Sequence, residues 1–186
     1  MKYFLPLLLS LALGAQAQTD FNAYSGTEES LEGGWVPKLT IVTRDFQFNI
    51  SPPRGWACQQ DAPSRKLVFT SASGRSAITI QFTARSPRTL PDNDVLREEV
   101  LRSHPGSGIL QTAMCPTSYQ PGVFFDLVLM PSPGNILKVR HAYVPGPAGE
   151  VEFILSANAD EFDQNRVFLM SMLRSYRVSS IRPRAT

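Results

Sequence analysis

The sequence predicts an α+β domain, a largely antiparallel β-sheet flanked by helices. Three observations predict it. Apolar residues alternate with polar ones over many short runs, clusters rich in Pro and Gly separate those runs, and two segments carry apolar residues at helical spacing instead. Strands come first, then a helix, then strands and a closing helix. That order fits helices packed on an antiparallel sheet better than alternating βα units.

The chain opens with Lys2, an apolar run over residues 3–13, and the small-residue stretch Gly14-Ala15-Gln16-Ala17. A charged start, a short apolar middle and an Ala-x-Ala end read as a cleavable secretory signal over residues 1–17. The run is too short to cross a hydrocarbon core of about 30 Å. The expected product is therefore secreted or periplasmic, begins at Gln18, and has no transmembrane segment after cleavage. Residues 18–37 are polar and turn-rich, with Glu28, Glu29 and Glu32 among them, and read as a flexible N-terminal arm that docks near Trp35 and Val36.

A single α+β domain is expected over residues 38–178. Leu39, Ile41 and Thr43, then Phe46, Phe48 and Ile50, mark a first strand pair, and Ser51-Pro52-Pro53-Arg54-Gly55 forces a turn before Trp56. Residues 67–70 and 77–83 form the next pair, with Ile78, Ile80 and Phe82 on one face. The first helix starts near Pro91, where proline and the acids Asp92 and Asp94 suit a helix N-terminus; Leu96 and Val100 make its buried stripe, and Pro105-Gly106 ends it. A short strand over 110–114 carries Cys115. Residues 123–130, 136–144 and 150–157 read as a meander joined by two Pro/Gly turns. The last helix is expected to start at Asn158 with Glu161 completing a capping box, and to bury Phe162, Leu169, Met172, Leu173 and Tyr176. Residues 179–186, with Arg182 and Arg184, form a basic tail.

Several residues carry this reading into a family. Phe46-x-Phe48-x-Ile50-x-x-Pro53-x-Gly55-Trp56 resembles the opening hairpin of the PsbP/Mog1-like superfamily. Gly122-Val123-Phe124-Phe125, the long hairpins that follow, and the closing Phe168-x-x-x-Met172-Leu173-x-Ser175-Tyr176-Arg177 are similar to that group's second half. The resemblance implies an antiparallel sheet flanked by helices. Members include photosystem accessory proteins, a small-GTPase-binding protein and bacterial envelope proteins. None of their functional residues matches here one by one, so the resemblance implies a fold and no site.

Chemistry is sparse. The net charge of +2 gives no reason to expect a nucleic-acid partner. Cys58 and Cys115 are the only cysteines, and in an exported protein an even count predicts a disulfide between them. His104 and His141 are the only histidines, and neither has a ligand-type residue at metal spacing, so no metal site and no cofactor are expected. A turn centred on Pro133 pairs Asp126 with Arg140 and puts His141 on the other face, which argues against a catalytic triad. Lys138, Arg140, Asp126 and Glu152 are instead expected to form a charged cross-strand face. Among Trp35, Trp56, Phe124 and Phe125, two or three are expected in the core.

Three functional readings follow. The first is an exported non-catalytic binding or accessory domain that recognises another envelope or secreted protein through that face. The second is a small-molecule or lipid binder using a cavity between sheet and helices. The third is a hydrolase centred on His141.

Overall fold

The computed structural model describes residues 20–30, 32–83, 90–147 and 149–181. The segment read as an export signal, Gln18, and Arg182 and Arg184 of the expected basic tail lie outside the described residues.

Period-two segments become strands, and the Pro/Gly clusters between them become turns. A four-stranded sheet holds β1 (Phe21–Glu29), β2 (Trp35–Thr43), β3 (Phe46–Ile50) and β11 (Arg177–Ser180), in the order β1-β2-β3-β11. A seven-stranded sheet holds β4 (Ala57–Asp61), β5 (Lys66–Thr70), β6 (Ser76–Thr83), β7 (Gly108–Cys115), β8 (Gly122–Ser132), β9 (Asn135–Gly146) and β10 (Gly149–Asn158). Its order is β4-β5-β6-β10-β9-β8-β7. Neighbouring strands pair antiparallel. The expected sheet is thus two antiparallel sheets, with helix α1 (Asn93–Ser103) between β6 and β7 and helix α2 (Phe162–Ser175) after β10.

The segment read as a flexible arm forms strand β1. Its nine residues pair in register with β2, from Phe21 opposite Thr43 to Glu29 opposite Trp35. Phe21 enters the core against Phe82, with ring centroids 5.4 Å apart. β3 supports only the inner half of this ribbon, pairing with residues 39–42. The outer half, with Glu28, Glu29 and the exposed Trp35, projects past the sheet.

Alternation gives the large sheet two apolar faces. One packs against α2 and the small sheet: Phe69, Ile80, Phe82, Phe153 and Leu155 meet Ile41, Phe48, Leu169, Met172, Leu173 and Tyr176. The other takes α1, whose Leu96 and Val100 sit among Val123, Phe125, Leu127 and Tyr143. A fully buried side chain of this size contributes about 1.5–3 kcal/mol. Trp56 packs half-buried against the core near Phe168, Phe124 and Phe125 are buried, and Trp35 is 68% exposed. At Gly122, an added Cβ would lie 2.2 Å from the Tyr143 carbonyl oxygen. Only glycine lets β8 approach β9 that closely.

Two expectations are corrected. α2 begins at Phe162, after a turn in which the Glu161 amide donates to the Asn158 carbonyl, and its N-terminus has no side-chain cap. The Glu161 carboxylate does not fold back as a capping box. It accepts from the Ser73 and Ser76 hydroxyls and pairs with Arg75. The disulfide is absent as well: Cys58 is exposed, Cys115 is buried, and both are free thiols. They lie on β4 and β7, the two opposite edges of the seven-stranded sheet. Six strand spacings of about 4.8 Å separate those edges, far beyond the 7 Å that a disulfide can span.

Candidate functional site

The β8–β9 hairpin sets the site's floor. Asp126 pairs with Arg140 across it, as the Pro133-centred register requires. Arg140 Nε and Nη2 each donate to one Asp126 carboxylate oxygen at 2.7 Å, a bidentate fork. The guanidinium carbon lies 3.8 Å from the Phe124 ring centroid, and Nη1 is 3.8 Å from the Met170 sulfur. Arg140 and Asp126 are only 4% and 8% exposed. Within the face expected to be charged, Arg140 and Asp126 therefore form a buried, aromatic-backed ion pair.

α2 has two faces. Leu169, Met172 and Leu173 face the core, while Asp163, Arg166, Val167, Met170, Ser171 and Arg174 recur at i, i+3, i+4, i+7, i+8 and i+11 on the other side. That second stripe walls a surface groove. One hollow of about 570 Å³ is lined by Gln111, Phe124, Arg140, Arg166, Met170 and Arg174 among others. A second of about 220 Å³ shares Gln111 and Arg166 and adds Leu110, Asp126, Lys138, Phe162 and Asp163. Three of the four residues expected to act together, Lys138, Arg140 and Asp126, meet here.

Glu152 does not join them. It pairs with Tyr143 in the β9–β10 register and so faces α1. There it lies 2.7 Å from His141 Nδ1, and His141 Nε2 lies 2.8 Å from His104 Nε2 at the C-terminus of α1. A carboxylate only accepts, so His141 donates from Nδ1 to Glu152, and its Nε2 shares a hydrogen bond with His104 Nε2. Burial opposes ionisation of Glu152, but the hydrogen bond and charge of His141, with the Tyr143 hydroxyl, hold its carboxyl below the usual range. Burial, together with the neighbouring His141, likewise holds the His104 imidazole below its ordinary value.

The His104–His141 contact escaped the sequence reading because 37 residues separate the two. Register counting on the second hairpin is the signal that finds Glu152 beside His141. This chain of groups is no triad. The His141 Nε2 position that would activate a nucleophile is taken by another imidazole. Among the described residues, no three His, Cys, Asp or Glu side chains converge as a metal-binding group.

No protein-family model matches the chain, and no curated protein sequence does. Solved structures do match. Cyanobacterial PsbP (CyanoP) from Synechocystis sp. PCC 6803 superposes with a TM-score of 0.53 at 13% identity, covering 89% of this chain and 96% of that one. The chain has the PsbP/Mog1-like fold. The Ran-binding protein Mog1p of Saccharomyces cerevisiae is similar too, with a TM-score of 0.50 at 11% identity over 84% of this chain and 96% of that one. In this chain the groove lies where α2 leaves the β7–β8–β9 end of the large sheet uncovered. No described helix is long and apolar enough to cross a membrane.

Proposed function

We propose that this chain is an exported, non-catalytic binding domain that recognises another envelope or secreted protein, with the groove between α2 and the β7–β9 end of the sheet as its recognition site. The groove's construction carries the reading. A rigid floor, the Arg140–Asp126 fork on Phe124, lies beneath a wall of exposed, chemically varied side chains on α2. Recognition surfaces combine such a preorganised base with accessible polar and apolar groups. Export rests on the signal-like first 17 residues. The likeness to a protein described as Ran-binding is consistent with a fold used for protein recognition.

Arg140 is a poor site for testing this, because reversing a buried charge would unfold the protein. Val167, exposed in the groove, is a better one. A photocrosslinking residue in its place is expected to trap a discrete partner in cells of the source organism. The same residue at Val95, exposed on α1, is expected to trap none. Equal trapping at both positions, or none at Val167, would remove the groove as the site.

A further inference from the structure

We infer that the groove receives an acidic, partly apolar segment of the partner protein, bound in extended form. The inference rests on the groove being the recognition site and adds the chemistry of what fills it.

Charge comes first. Lys138, Arg140, Arg166 and Arg174 line the groove against only two carboxylates, Asp126 and Asp163. Asp126 is fully engaged by Arg140. Asp163 meets Arg166 at 3.4 Å, with both side chains about half exposed or more, a contact weak enough to exchange for a ligand's carboxylate. Lys138 and Arg174 have no carboxylate partner among the described residues. The surplus is positive, so it attracts acidic segments and repels basic ones.

The apolar side chains come second. Val167 is 63% exposed, and the half-buried Met170 lies beside it. They offer a ligand's apolar side chain a place between the cations. Length is the third argument. Arg166 and Arg174 are eight residues apart on α2, about 12 Å at 1.5 Å per residue. An extended peptide covers that span in about four residues, so two acidic side chains with an apolar one between them match the wall.

Fluorescence anisotropy with a labelled heptapeptide Ser-Glu-Ser-Leu-Ser-Glu-Ser, whose extended form puts both glutamates and the leucine on one face, tests this on the whole chain. Saturable binding is expected that weakens with salt and falls about tenfold in Arg166→Glu/Arg174→Glu. Both positions are exposed, so that variant keeps the fold. Arg97→Glu, on the far side of the molecule in α1, is expected to change nothing. Equal binding of the same peptide with both glutamates replaced by glutamine, or binding undiminished in the double variant, would overturn the acidic preference. So would equal binding of a single-stranded oligonucleotide, which would mean general anion attraction. Self-association that both Glu28→Lys/Glu29→Lys and the groove variant abolish would assign the groove to the projecting ribbon of a second copy and overturn it as well. If crosslinking at position 167 persists while the acidic peptide fails, the groove remains the site and only its ligand chemistry falls.

Discussion

Arg140 is held on three sides, by the Asp126 fork, the Phe124 ring and the Met170 sulfur, and nothing about it is free to move. Removing one partner leaves a buried charge uncompensated. Asp126→Ala is expected to cost about 3–5 kcal/mol in urea unfolding, whereas Asp126→Ala with Arg140→Leu recovers most of that loss. His104 and Glu152 give the molecule its acid sensitivity. The folded pKa of each lies below its ordinary value, 6.5 for His104 and 4.5 for Glu152, so the unfolded chain binds protons more readily. Their contributions are complete above those values and are lost as pH falls through the folded ones. Stability is therefore expected to be flat near pH 7 and to decline below about 6.5. His104→Gln is expected to flatten that first limb, read from urea midpoints at successive pH values.

Elements differ in how much of their length the rest of the fold supports. The inner half of the β1–β2 ribbon pairs with β3 and buries Phe21, Leu39 and Ile41, while its outer half stands alone. Native hydrogen exchange is expected to protect the amides of Ile41 and Thr43 far longer than those near Glu29 and Trp35. Equal protection along β1 would mean that something covers the outer half in solution. The same unevenness decides what the sequence could reveal. β5, β6 and β10 alternate visibly because they pack on a core, β8 and β9 carry apolar runs because both their faces are covered, and both helices show their stripes. β4 is exposed at every residue and β1 at most of its outer half, so neither has an apolar rhythm to read. β11 has only four residues. Hairpin counting found the Asp126–Arg140 pair, but burial of that pair depends on where α2 lies, which no local pattern records.

At the scale of the molecule, the seven-stranded sheet joins every layer and keeps its two cysteines at opposite margins. With no cross-link between them, reductant is expected to leave the unfolding midpoint unchanged, and intact-mass measurement to find both thiols protonated. Iodoacetamide is expected to modify Cys58 in the native protein. Cys115 reacts only after denaturation, since burial removes access to it and pushes its thiol up to about 11. A mass two protons light would restore the disulfide reading. The separation of the margins also has a practical side. A tether attached at Cys58 on β4 would hold the protein by the edge farthest from Gln111 and the groove. Every molecule on such a surface would be oriented alike, with its recognition end turned outward to the solution.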